Sequence, residues 1–135
     1  MEIGRLKRGL LVFLTSLTII GFVTAPTKIV NAAENHLTAT GGVYAGPSGK
    51  ETYYNLNMKG VVKIMRNLGY SEEEYPYWVR EDGCKMLGDY IMVAANLEER
   101  PKGTIVETSL GDALVCDTGG FAKNNRTQLD IAVNW

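Results

Sequence analysis

Two aspartates near the end of the chain carry its clearest chemical signal. Asp117 ends the apolar run ALVCD, and Asp130 lies inside the run QLDIAV. Alternation along a strand places Asp117 on the face of Val115, and Asp130 on the face opposite Leu129. Each carboxyl therefore has apolar neighbours, where partial loss of water should raise its pKa. A carboxyl that stays protonated near neutral pH can act as a general acid.

The loop between these strands is rich in glycine and amide side chains. Its bare backbone and polar groups suit hydrogen bonding to sugar hydroxyls or acyl groups, and the candidates are Thr118, Gly119, Gly120, Lys123, Asn124, Asn125 and Arg126. A purely structural alternative stays open. An aspartate before Thr-Gly-Gly commonly starts a turn by accepting backbone N–H bonds, and Asp130 would then only satisfy buried polar groups.

The few histidines and cysteines limit the catalytic and metal-binding sites that the chain can form. The single histidine, His36, lies near the start of the mature chain, so neither a histidine triad nor a histidine metal cluster can form. No cysteine spacing is typical of zinc sites, and we expect no metal and no cofactor. Cys84 and Cys116 form either one disulfide, as an exported protein can keep, or two buried free thiols.

The N-terminus has the order of a secretory signal peptide. A basic start is followed by a long uncharged run and then by Val30-Asn31-Ala32, which predicts a signal over 1–32 with cleavage after Ala32. Cleavage after Ala33 and an uncleaved membrane anchor are the alternatives. Cleavage would leave an acidic chain without a membrane span, secreted or associated with the cell wall, and nucleic acid is an unsuitable partner for it.

The rest of the chain predicts a flexible lead-in over 33–39 and one domain over 40–135. We expect a mainly β fold of six or seven short strands with one α-helix. Asn57 is a suitable N-cap for that helix, and Gly69 a suitable left-handed C-terminus. Its core-facing residues at helical spacing are Met58, Val61, Val62, Met65 and Leu68. Asp82-Gly83 and Gly111-Asp112 are predicted turns.

The segment 92–133 resembles a known family, the 3D domain of cell-wall lytic enzymes. The matching motifs are RPKGT at 100–104, DTGGFAK at 117–123 and LDI at 129–131, in the family's order. This small double-psi β-barrel occurs in membrane-bound lytic transglycosylase A and in stationary-phase muralytic proteins of Gram-positive bacteria. The resemblance therefore implies a double-psi-like barrel that acts on peptidoglycan.

The resemblance also implies roles for particular residues. Asp130 would be the acid/base and Asp117 its support in lytic cleavage of the MurNAc–GlcNAc bond, without a metal. The glycan strand would be bound by Asn96, Thr118, Gly119, Gly120 and Lys123.

Two departures from the family pattern leave other roles open. Asn96 stands where the family has its first aspartate, and the loop between Asp117 and Asp130 is longer than usual. A non-catalytic wall-binding or structural barrel protein is one alternative. Another is a domain that acts only when a partner protein completes the cleft.

Overall fold

A computed structural model describes residues 34–135. The predicted signal peptide over 1–32 and both cleavage positions lie outside this range. The described part is mainly β, as predicted, with eight strands in one sheet and a single α-helix. The elements are β1 (Tyr44–Gly46), β2 (Gly49–Tyr54), α1 (Lys59–Asn67), β3 (Tyr77–Val79), β4 (Lys85–Leu87), β5 (Tyr90–Ala94), β6 (Ile105–Thr108), β7 (Gly111–Asp117), a 3₁₀ turn (Gly120–Lys123) and β8 (Leu129–Ala132).

Strand β5 lies at the centre of the sheet. The strand order is β1-β2-β8-β5-β4-β3, and β7 also pairs with β5 and carries β6 on its other edge. The pairs β2–β8 and β5–β7 are parallel, and the other pairs are antiparallel. The described pairings leave the sheet open, with β1, β3 and β6 at its ends. Eight short strands replace the expected six or seven.

One side of the sheet packs a core made mostly by strands, which we call the strand core. Its buried members include Ile91, Val93, Val115 and Ile131. Leu37 belongs to the same cluster and is only 1% exposed. The segment predicted as a flexible lead-in therefore contributes an apolar side chain to the core.

The opposite side packs against the helix, and we call this cluster the helix core. Met58, Val61 and Met65 contact strand residues that include Leu114 and Ala132. In β8, Leu129 and Ile131 lie in the strand core while Ala132 lies in the helix core, so the predicted alternation of this strand is confirmed.

The helix is close to its predicted limits. The Asn57 side chain accepts a hydrogen bond from the Lys59 N–H at 3.0 Å, although Met58 is the N-cap residue. Gly69 follows the last turn with a φ of +101°, the left-handed geometry expected of it. Leu68 was predicted to face the core but is 56% exposed. Leu68 is the C-cap residue, one position beyond the last residue of α1.

One predicted turn is confirmed and the other is wrong. Asp82-Gly83 lies in the β3–β4 hairpin, where the Gly83 N–H donates to the Arg80 carbonyl at 2.9 Å. Gly111 and Asp112 instead begin β7 and pair with Thr108 and Glu107. The chain therefore reverses two residues earlier, at Ser109-Leu110.

The two cysteines are free buried thiols. Cys84 lies in the strand core and Cys116 in the helix core. Because these clusters lie on opposite sides of the sheet, the open question of a disulfide is settled in favour of free thiols. Burial is the main reason why the pKa of each thiol is raised to about 12, so neither is a ready thiolate nucleophile.

Gly49 gives a test of the β2–β8 contact. Its φ is +140°, and an added Cβ would lie 2.3 Å from the Thr127 carbonyl oxygen. We expect Gly49→Ala to lower the free energy of unfolding by about 2–3 kcal/mol, since strain and overpacking combine. Gly60→Ala is the matched control, because nothing lies within 4 Å of its added Cβ in α1. The control should gain about 0.5–1 kcal/mol in urea unfolding. Equal effects would refute the contact.

Candidate active site

Asp117 and Asp130 flank the same residue at one end of the sheet. Ala94, the last residue of β5, pairs with Asp117 of β7 on one side. On its other side Ala94 pairs with Asp130 of β8. The two predicted acidic residues are therefore brought together, on the two strands that flank Ala94 of β5.

A β-bulge places both carboxyls on one face. Val93 pairs with Val115, but Ala94 pairs with Asp117, so β7 carries Cys116 as an extra residue. Simple alternation predicted that Asp117 would share the face of Val115. That prediction is wrong, because an inserted residue reverses the alternation beyond it. Asp117 instead contacts Tyr54, whose ring packs on the helix core.

Asp130 has one bonded and one open carboxylate oxygen. The Thr52 hydroxyl donates to Oδ1 at 2.9 Å, and Gln128 Nε2 in turn donates to that hydroxyl at 3.0 Å. Within residues 34–135, no buried side-chain oxygen or nitrogen lacks a partner. Oδ2, which has no protein partner there, therefore reaches solvent. Thr52 orients the carboxyl and leaves the second oxygen free to exchange a proton.

The surroundings raise the pKa of Asp130. Burial is the largest cause, and the negative charge of Asp117 acts in the same direction. The hydrogen bond from Thr52 opposes both, because it favours the charged form. A carboxyl with a raised pKa and one open oxygen has the chemistry expected of a general acid.

Both oxygens of Asp117 accept hydrogen bonds. The Tyr54 hydroxyl donates to Oδ2 at 3.0 Å, and the Thr118 N–H donates to Oδ1 at 2.8 Å. Oδ1 therefore accepts a backbone N–H, as the structural alternative of a turn-starting aspartate predicts. Oδ2 binds a side chain of the candidate site. Burial, followed by the charge of Asp117, raises the pKa of Tyr54 well above its usual range, so this phenol remains a hydrogen-bond donor.

Sequence reasoning missed Tyr54 and Thr52. Alternation in ETYY does place these two side chains on one face of β2. Alternation cannot predict that these side chains lie beside the two aspartates. That placement depends on the parallel pairing of β2 with β8, which joins distant parts of the chain.

The five predicted glycan-binding residues line one cavity of about 570 Å³. They are Asn96, Thr118, Gly119, Gly120 and Lys123. Neither Asp117 nor Asp130 is among the lining residues, but Thr118 follows Asp117 directly. The cavity therefore adjoins the acidic pair rather than containing it.

An exposed ion-pair cluster stands at the same cavity. The Arg126 guanidinium contacts Glu99 at 2.7 Å and Glu98 at 3.2 Å. It thereby joins the segment after β5 to the loop before β8. Exposed pairs of this kind stabilise a fold little, so the cluster links the two lining segments but contributes little to the stability of the protein.

Asn96 has a structural role that an aspartate could not fill. Its Nδ2 donates to the Ala122 carbonyl at 3.0 Å, while Oδ1 accepts the N–H groups of Glu98 and Glu99 at 3.0 and 3.1 Å. A carboxylate has no proton to donate to the Ala122 carbonyl. The amide at this position therefore suits the local fold of the cavity wall.

Glu51 is a fully buried acidic residue, with an exposed fraction of 0%. Its carboxylate accepts hydrogen bonds from the N–H and the hydroxyl of Ser109. The Ser109 hydroxyl oxygen also accepts the Leu37 N–H at 2.9 Å. This group ties β2 to the β6–β7 turn and to the N-terminal segment, and it contacts neither Asp117 nor Asp130.

Two further structural findings concern metals and membranes. In residues 34–135, no group of three His, Cys, Asp or Glu side chains is close enough to hold a metal ion. No helix in the same range has the length and apolarity that a bilayer crossing requires.

The raised pKa of Asp130 predicts a pH-dependent stability. The folded protein holds this proton more tightly than the unfolded chain, whose carboxyl has the ordinary pKa of 3.8. The contribution of Asp130 to the free energy of unfolding must then fall as pH rises from that value through the raised folded-state pKa. Urea unfolding from about pH 3 to about pH 7 should show Asp130→Asn gaining stability relative to wild type. A relative gain by wild type would contradict this assignment.

Comparison with known proteins leaves the resemblance as an expectation: no family model, no curated protein and no solved structure matches this chain.

Proposed function

We propose that this protein is a secreted, peptidoglycan-active protein that cleaves the MurNAc–GlcNAc bond by a lytic transglycosylase mechanism. Asp130 is the acid/base in this proposal, and Asp117 and Tyr54 support it. The observation that carries the proposal is the environment of the Asp130 carboxyl. Its Oδ1 is oriented by Thr52, its Oδ2 reaches solvent, and burial raises its pKa.

The proposed reaction needs one carboxyl that gives up and then regains a proton. Protonated Asp130 donates its proton to the glycosidic oxygen, and the bond from that oxygen to C1 of MurNAc breaks. The 6-hydroxyl oxygen of the same MurNAc attacks C1 and closes a 1,6-anhydro ring. The Asp130 carboxylate takes the hydroxyl proton, which restores the acid. A second catalytic carboxylate, as glycosidases use, is not required.

Asp117 and Tyr54 contribute electrostatics in this scheme. The charge of Asp117 helps to keep the Asp130 proton in place. Tyr54 holds one Asp117 oxygen through its hydroxyl, which fixes where that charge lies. The neighbouring cavity offers the Thr118–Gly120 backbone and Lys123 to a bound glycan strand.

The test is the product of the reaction. Purified protein should release muropeptides with 1,6-anhydro ends from isolated peptidoglycan, and mass spectrometry should find them lighter by one water than hydrolysis products. Muropeptides with reducing ends would contradict the transglycosylase mechanism. An absence of any released product, at protein concentrations where the protein pellets with the wall, would contradict catalysis.

That last outcome would support the second candidate, a non-catalytic wall-binding or structural protein. The observation that favours it is the use of Asn96. All three hydrogen bonds of its amide serve the fold, and within residues 34–135 no third carboxyl forms a cluster with Asp117 and Asp130. Lys123 and the glycine backbone would then bind glycan without cleaving it. A partner protein that completes the cleft remains compatible with either candidate.

A further inference from the structure

A second cavity, of about 510 Å³, opens beside the start of α1. Lys85, from β4, lines it and is only 6% exposed. Lysine is seldom buried to this degree unless its charge is paired. The surroundings of this ammonium group therefore decide what the cavity can bind.

Neutral groups provide the hydrogen bonds of Lys85 within the protein. Its Nζ donates to the Asn55 side-chain oxygen at 2.7 Å and to the Leu56 carbonyl. In residues 34–135, the ion pairs within 4.0 Å involve only Arg80 and Arg126 as cations. An ammonium group has three N–H donors, so one donor and the whole positive charge remain without an anionic partner.

The protein's own groups stabilise this charge poorly. Burial lowers the pKa of Lys85, since the charged form loses water. A buried charge is costly unless an opposite charge pairs with it. An anion that enters the cavity would supply this charge and accept the remaining N–H.

The other lining residues indicate the chemical character of the rest of the ligand. Met58, Val62 and Tyr77 give the cavity an apolar wall. Lys59 adds a second, exposed ammonium group to the lining. The combination of one buried cation with an apolar wall suits a molecule that carries a carboxylate on an apolar group.

We propose that this cavity binds an organic carboxylate, which accepts a hydrogen bond from Lys85 Nζ while its apolar group packs on Met58, Val62 and Tyr77. The inference does not depend on glycan cleavage, because neither Asp117 nor Asp130 lines this cavity.

The test compares two probes that differ only in charge. N-acetyl-leucine carries a carboxylate, and N-acetyl-leucinamide replaces it with a neutral amide. In NMR titrations of the full chain, the acid should shift the amide signals of Asn55 and Lys59 saturably. The neutral probe should bind at least about tenfold more weakly, which is the typical effect of one hydrogen bond to a charged group.

Variants and a third probe complete the experiment. Lys85→Met should remove the preference for the acid, and Lys50→Met, at an exposed position on β2, should keep it. If Lys85→Met fails to fold, the acid–amide comparison in wild type still decides. Equal binding of acid and amide would overturn the proposal. Equal binding of inorganic phosphate and N-acetyl-leucine would overturn the apolar part of the assigned ligand class.

Discussion

Replacing Asp130 with asparagine should lower the release of anhydromuropeptides by about 10²–10⁴-fold, the usual contribution of a general acid. Asparagine keeps the size of the side chain and can still accept the Thr52 hydrogen bond seen at Oδ1. It has no acidic proton to give to a glycosidic oxygen. The fold should therefore persist while the chemistry is lost, and initial rates of product release measure the difference.

Asp112→Asn is the matched control for this loss. Asp112 lies on β7, as Asp117 does, but at the exposed start of the strand. The same chemical change there should leave the rate unaltered. A similar loss in both variants would mean that net charge, rather than a particular proton donor, controls the measured rate. Full activity in Asp130→Asn would exclude Asp130 as the acid.

The second large effect is expected for stability, at Glu51. Glu51→Ala removes a fully buried side chain and leaves the Ser109 N–H and hydroxyl without their acceptor. The cavity and the lost bonds to a charged group should together lower the free energy of unfolding by about 3–5 kcal/mol. Urea unfolding followed by circular dichroism measures the change.

Two variants separate the causes of this expected loss. Glu51→Gln keeps the size and one carbonyl acceptor, so we expect a smaller loss of about 1–2 kcal/mol. Glu107→Ala, at an exposed position on β6, should change stability by no more than about 0.5 kcal/mol. A large loss in Glu107→Ala, or none in Glu51→Ala, would refute the role assigned to the buried carboxylate.

Local patterns in the sequence predict much of this fold. The alternation of β8, the helix with its Gly69 terminus and the Asp82-Gly83 hairpin depend on neighbouring residues, and each is found. The face of Asp117 was not predictable in this way. It depends on a bulge, which arises from the pairing of β7 with β5 and leaves no mark in the alternation of ALVCD.

In the candidate site, too, the residues that are close in sequence were predicted and those that are remote in sequence were not. The loop residues predicted to bind glycan are close in sequence, and they do line one cavity. Tyr54 and Thr52 come from far away in the chain and were missed. The burial of Glu51 is likewise not predictable from its sequence neighbours, since its partner Ser109 belongs to another hairpin. Contacts between remote segments cannot be predicted until the pairing register of the strands is known.

The position of β8 has a consequence for how the protein assembles. This strand lies between β2 and β5, and its Asp130 pairs with Thr52 of β2, 78 residues earlier in the chain. Neither neighbour can gain its bonds to β8 until these remote segments meet, so no single stretch of the chain can complete the sheet by itself. Contacts over such long sequence separations also slow folding. Until β8 pairs, β2 and β5 each carry an edge of unbonded backbone groups, and this exposed edge makes the incompletely folded chain a target for chaperones.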